Sequence, residues 1–161
     1  MPDPAQRPNT IPWPPLLYVG AAAVALFLDR VVPLPWVGGI AMMILAAIGL
    51  CSVCTGIALE VVTALAFRRH KTTILPHRGA TALITDGPFA KSRNPIYLGN
   101  TLLMLGAGLL FGIAWFLLAG LSAAYLVQKL AIEPEERHLA AKFGAAWRDY
   151  TARTPRWLKL S

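Results

Sequence analysis

The sequence predicts an all-α integral membrane protein, with about four transmembrane helices and a C-terminal amphipathic helix on the cytoplasmic side. Three observations lead there. Hydrophobic residues make up 56% of the 161 residues and charged residues only 14%, whereas a soluble domain carries about 25% charged residues. The apolar residues also come in runs near the roughly 20 that a spanning helix needs. The basic residues, finally, fall almost entirely on one side of those runs. A chain of this length is one domain, and its core is too small to hide so much apolar surface, so lipid must solvate much of it.

The predicted spans are 13–29, 36–67, 95–111 and 115–132. The first ends at Asp29 and Arg30. The second is interrupted only by Glu60 and exceeds the bilayer thickness, so it should tilt or project into the cytoplasm. The third and fourth are short and separated only by Gly112-Ile113-Ala114, which predicts an antiparallel hairpin. Trp13, Trp36 and Trp115 open spans, as interfacial Trp residues do.

Cytoplasmic loops collect Lys and Arg. The loop 68–94 holds Arg68, Arg69, Lys71, Arg78, Lys91 and Arg93. The tail 133–161, with Lys129 just before it, holds Arg137, Lys142, Arg148, Arg153, Arg156 and Lys159. Arg7 lies in the N-terminal arm, and only Arg30 falls opposite. Both termini are therefore expected in the cytoplasm. The formal net charge of +7 reads as topology and contact with anionic lipid. No recognition motif accompanies it, so nucleic acid is not an expected partner. The Pro-rich arm 1–15 does not resemble a cleavable signal.

Several patterns carry little chemistry. Cys51 and Cys54 form a C-x-x-C inside an apolar helix without a second ligand pair, where zinc wants four ligands; they read as small packing residues. His70, His77 and His138 lack metal spacing, and no metal is expected. Gly108 and Gly112 permit close helix approach, within this chain or between copies. Glu60 is a carboxyl inside a span, a functional candidate by its cost, set against plain placement near the interface with Arg68 or water.

Two stretches are informative. The loop ends Gly87-Pro88-Phe89-Ala90-Lys91-Ser92-Arg93-Asn94-Pro95-Ile96-Tyr97-Leu98-Gly99. Gly87-Pro88 is a turn signal; Asn94 suits a helix cap and Pro95 the first helical position. Capping does not explain Arg93, Tyr97 and Gly99, which would bring a cation, a ring and bare backbone to one helix mouth beside the Asn94 amide. The tail opens Glu133-Pro134-Glu135-Glu136. Pro134 should kink the fourth helix or start a new one, and the carboxylates then suit a first turn. Leu139, Phe143, Trp147 and Tyr150 form an apolar stripe, expected to lie on the membrane or over the loop.

Gly87-Pro88-Phe89, Ser92-Arg93-Asn94-Pro95-Ile96-Tyr97-Leu98-Gly99, Glu135-Glu136, Phe143-Gly144, Trp147, Tyr150 and Arg153-Thr154-Pro155-Arg156 together resemble the signature of the isoprenylcysteine carboxyl methyltransferase family, itself similar to phospholipid N-methyltransferases. The resemblance covers residues 72–158. It implies a membrane-embedded enzyme using S-adenosylmethionine as methyl donor. The implied donor pocket lies between the Arg93-to-Gly99 segment and the paired glutamates: Gly87, Pro88, Arg93, Asn94, Pro95, Tyr97, Gly99, Glu135 and Glu136, with Arg93, Glu136 and Lys129 as catalytic candidates. Lys129 corresponds loosely to an Arg that precedes the paired Glu in some relatives. Many members have His where this chain has Asn94, and Asn cannot carry a proton. The donor's carboxylate suits Arg93, its ammonium or ribose suits Glu135 or Glu136, and its adenine or methyl suits Tyr97. The acceptor is expected to be lipophilic or small, a carboxylate, an amine or a thiol. The short, Ala-rich chain suggests a bacterial member in the inner membrane. The alternatives are an NADPH-dependent reductase-like relative and a non-catalytic membrane scaffold. Oligomeric state is not legible.

Overall fold

The computed structural model describes residues 13–70 and 83–158. Expectations resting on Arg7, Lys71, His77, Arg78 and Lys159 lie outside them. The described residues are all-helical apart from their connections. The helices are α1 (Trp13–Val31), α2 (Gly39–Arg69), α3 (Pro95–Phe111), α4 (Ala114–Val127) and α5 (Glu133–Arg153), with a 3-10 turn at Gly87–Ala90 and a π-helical turn at Gln128–Ile132. Three stretches are long and apolar enough to cross a membrane: Pro14–Val31, Gly39–Arg69 and Ala114–Arg153, the last joining α4 to α5. Pro95–Phe111 is apolar but shorter. Large apolar side chains stand outward, among them Ile40 (77% exposed), Met43 (71%) and Phe27 (65%). Such a surface suits hydrocarbon and not water.

Packing pairs α2 with α3, α3 with α4, and α4 with α1. The α2–α3 seam is antiparallel and built on four glycines. A Cβ on Gly49 would lie 2.5 Å from the Leu110 nitrogen and 2.7 Å from the Gly106 oxygen, and one on Gly56 would lie 2.9 Å from the Gly99 oxygen. Only bare backbones approach so closely, which is how small residues serve helix pairs in lipid. Between the two contacts, Ser52 Oγ donates to the Leu102 carbonyl at 2.9 Å. The other core gathers Tyr18, Ala25, Tyr97, Met104, Phe116, Ala123, Val127 and Ile132. Trp115 Nε1 donates to the Val32 carbonyl at 2.7 Å, tying the start of α4 to the end of α1. Consecutive segments alternate in direction. The start of α1, the end of α2, the start of α3 and the end of α4 therefore meet at one end of the bundle.

Several sequence expectations are corrected in detail. The second helix begins at Gly39 rather than 36 and runs to Arg69. The fourth is α-helical only over Ala114–Val127 and then widens into the π turn. Pro134 sits, as one of the two expected outcomes has it, in the first turn of a new helix, α5, where the wider preceding turn absorbs its missing N–H. A break comes at Gly144, with φ 50° and ψ −113°, a conformation that favours glycine. The expected stripe is thereby split. Trp147 and Tyr150 are buried while Leu139 and Phe143 are half-buried. The Gly108 and Gly112 pair packs within this chain, against Leu117 and Phe116 of α4 and against Trp36. Cys51 and Cys54 are free and exposed on α2 rather than packed.

Candidate functional site

The residues expected to cooperate meet at the shared end of the bundle. The approach to α3 is shaped by the turn at Gly87–Ala90. The Pro88 carbonyl accepts from the nitrogens of Lys91 and Ser92, each at 3.2 Å. Phe89 meets Phe67 of α2 edge to face, with ring centroids 5.4 Å apart, and its carbonyl accepts from Tyr150 Oη at 2.7 Å. Gly87 and Pro88 thus build the turn that delivers Arg93. No contact from either to the charged cluster exists among the described residues.

Arg93 is largely buried beside an equally buried carboxylate. Its Nη1 lies 3.3 Å from Glu136 Oε1, with 14% and 15% of the two side chains exposed. Its guanidinium stacks 5.6 Å from the Trp147 ring centroid, and its Nε is buried with no hydrogen-bond partner. Glu136 belongs more closely to Arg156, whose Nε and Nη2 donate to its two oxygens at 3.1 and 2.6 Å. That fork-to-fork pair is the strong form of a charge-assisted hydrogen bond.

Arg156 arrives on a strap, residues 154–157, that follows α5 and returns across the start of α3. Arg93 N donates to the Pro155 carbonyl at 3.0 Å. The Arg156 carbonyl accepts from Asn94 Nδ2 at 3.0 Å and from Ser92 Oγ at 3.4 Å. Trp157 Nε1 donates to Gln128 Oε1 of the π turn at 2.8 Å. Asn94 is therefore not the side-chain cap its position suggested; its amide fastens the strap, and Ser92 Oγ accepts from the Asn94 backbone nitrogen at 3.1 Å.

Glu135 faces differently. Tyr97 Oη donates to its Oε2 at 3.4 Å, and among the described residues it has no ion pair. Tyr97 is itself held from α1, since its carbonyl accepts from Tyr18 Oη at 3.1 Å. The apolar run of the fourth helix ends at Ile132, so Glu135 lies just beyond it. Burial pushes the Glu135 carboxyl up to about 7, against the opposing Tyr97 hydrogen bond and with the Glu136 charge adding.

Two candidates stand apart. Lys129 Nζ pairs with Glu133 Oε1 at 2.8 Å, one helical turn away, and is half exposed. That bond holds the Glu133 carboxyl below its ordinary range, and because Arg156 Nη1 stands 3.9 Å from the same Glu133 oxygen, Lys129 lies at the edge of the Arg93–Glu136–Arg156 network and not at its centre. Gly99 faces α2: a Cβ there would lie 2.9 Å from Glu60 Cγ. The bare backbone of Gly99 serves the helix seam and not the mouth. Glu60 sits at that seam without an ion pair to Arg68. Pro95 is buried at the first turn of α3.

Sequence reasoning assigned no role to Arg156, Gln128 or Trp157. The signal for Arg156 was present in Arg153-Thr154-Pro155-Arg156, yet its partner lies twenty residues back and the reach between them follows no local period.

A family model described as phospholipid methyltransferase matches residues 44–146, from within α2 to within α5. No curated protein and no solved structure matches the chain.

Proposed function

The chain belongs to the phospholipid methyltransferase family, and from that membership we propose that it transfers a methyl group from S-adenosylmethionine to a lipophilic or small acceptor at the membrane surface. The family makes it a membrane methyltransferase, and favours neither the reductase nor the scaffold reading. The donor and the residues that hold it are our reading. The observation that carries it is the buried Arg93, whose Nε has no hydrogen-bond partner among the described residues, standing near Glu135, which has no ion pair among them.

The residues fit such a donor. Arg93 offers a buried Nε with no partner, suited to a carboxylate. Glu135 offers a carboxylate with no ion pair among the described residues, suited to an ammonium. Tyr97, Asn94, Glu136 and Trp147 surround them, and Gly87, Pro88 and Pro95 hold the approach in shape. When bound, the donor supplies an electrophilic methyl on a sulfonium. The chain's part is to fix and align, because an in-line displacement gains most from orientation. The acceptor, whether carboxylate, amine or thiol, would enter from the lipid side of the bundle. Titration calorimetry of the detergent-purified protein with S-adenosylmethionine tests the reading. Saturable binding is the expected result, and its absence would overturn it.

Glu135 makes the pH dependence specific. Its carboxyl loses its proton near 7 in the folded protein and near its ordinary value of 4.5 when unfolded. The group's contribution to stability is thus fully present below 4.5 and lost as pH rises through about 7. Donor binding runs the other way, because an ammonium prefers the ionised carboxylate. Affinity is expected to strengthen as pH rises through about 7, and Glu135→Gln should flatten that rise. A rise that persists unchanged in Glu135→Gln would remove Glu135 from the donor's cationic end.

We also read both termini as cytoplasmic, from the one-sided basic residues. Single cysteines placed at Lys91 and Arg153, in a background lacking Cys51 and Cys54, should resist an impermeant thiol reagent in intact cells and react after lysis. Labelling of both from outside would reverse the orientation.

A further inference from the structure

We infer that Arg156 is a positioning residue of the donor site. By holding both oxygens of Glu136, it leaves Glu135 as the carboxylate that meets the donor's cationic end and keeps Arg93 open to its anionic end. The inference rests on the methyltransferase reading above and divides the labour of two adjacent glutamates that are alike in sequence.

The two carboxylates have opposite surroundings. Glu136 receives Arg156 through two bonds, at 3.1 and 2.6 Å, and Arg93 at 3.3 Å. Its negative charge is already answered, and a ligand's ammonium would meet guanidinium groups there. Glu135, one residue earlier, is hydrogen-bonded by the Tyr97 hydroxyl at 3.4 Å and has no ion pair among the described residues. Adjacent helical residues point about 100° apart, which turns the two toward different neighbours.

Arg156 also decides what Arg93 can do. Arg93 Nη1 stands 3.3 Å from Oε1 of Glu136, the oxygen to which Arg156 Nε already donates. Without Arg156, both oxygens would be left to Arg93, and a two-bond pair between them would commit two of its five N–H donors and its charge to Glu136, weakening its hold on a ligand carboxylate. The orientation of Arg156 is set by backbone and not by chance: its own carbonyl accepts from Asn94 Nδ2 at 3.0 Å and Ser92 Oγ at 3.4 Å, while the preceding carbonyl accepts from Arg93 N at 3.0 Å. The strap therefore carries the clamp to Glu136 and joins the two halves of the site. It lies beyond the residues that the family model matches.

This action through Glu136 gives a test that a merely structural anchor would fail. S-adenosylmethionine affinity is measured by calorimetry for wild type, Arg156→Ala, Arg156→Lys, Glu136→Gln and the double variant Arg156→Ala/Glu136→Gln. Arg156→Ala should weaken binding roughly tenfold or more, the scale of a charge-assisted pair. Arg156→Lys should fall between it and wild type, since one ammonium cannot make the fork. Glu136→Gln leaves no carboxylate to compete for Arg93, so adding Arg156→Ala to it should change affinity by no more than about threefold, less than half of a tenfold step in free energy. An Arg156→Ala protein with unchanged affinity overturns the inference. So does a double variant as far below Glu136→Gln as Arg156→Ala is below wild type, which would make the strap a structural anchor only. Failure of wild type to bind the donor instead removes the methyltransferase reading, and the inference with it.

Discussion

Arg93→Ala is expected to lower S-adenosylmethionine affinity by roughly ten- to a hundredfold while leaving the helical bundle folded. The magnitude follows from a charge-assisted hydrogen bond, about 1.5–3 kcal/mol, where about 1.4 kcal/mol is a factor of ten. The second half of the expectation follows from the cluster. Removing one partner of a buried pair ordinarily strands the other charge. Here Glu136 keeps both bonds from Arg156, so no carboxylate is left unanswered. The Trp147 ring loses its stacked cation but stays fixed against Tyr150, with centroids 5.8 Å apart. Arg93→Lys should bind with intermediate strength, because an ammonium keeps the charge and loses the planar fork and the stacking. Calorimetry on the purified variants, with circular dichroism as the check on folding, decides the matter. A folded Arg93→Ala protein with wild-type affinity would take Arg93 out of the donor site.

Gly106→Val is expected to have the largest effect on the fold itself. A Cβ there would stand 2.8 Å from the Gly49 oxygen and 2.9 Å from the Val53 nitrogen. Both are backbone atoms, so no rotamer can relieve the contact and α2 must move away from α3. Ordinary overpacking costs roughly 1–3 kcal/mol, and this substitution should reach or exceed the upper end. The displacement would separate Ser52 from the Leu102 carbonyl and shift the mouth of α3 away from the tail. We expect loss of a monodisperse detergent-solubilised protein, or a sharply lowered unfolding midpoint. Gly20→Val is the control. It sits mid-helix in α1 with no other atom within 4 Å of a built Cβ, and should change the midpoint little. Equal behaviour of the two variants would show that the seam is not the tight contact described.

Much of this protein was legible in its local sequence. The membrane character came from composition, the helices from the lengths of apolar runs, and the hairpin from Gly112-Ile113-Ala114. Two pairs that the sequence singled out do meet, Arg93 with Glu136 at 3.3 Å and Tyr97 with Glu135 at 3.4 Å. These are properties of short stretches, where solvent preference and backbone chemistry act residue by residue. Where local signals competed, they misled. Asn94-Pro95 read as a cap, yet a carbonyl supplied by the returning strap took the Asn94 amide. Lys129 read as a site cation, yet Glu133 one turn away offered the nearer partner. Gly99 read as open backbone at the mouth, yet α2 packs against it.

The tertiary structure alone decided which glutamate is clamped by Arg156 and which, among the described residues, has no ion pair. Glu135 and Glu136 carry the same charge and the same propensity, and no pattern in the chain separates them. Their difference arises because α5 turns one toward Tyr97 and the other toward a guanidinium delivered by the strap. It likewise decided that four glycines on two helices form one antiparallel seam. Pairings of this kind depend on the directions in which separate elements approach each other, and a one-dimensional period holds no record of them.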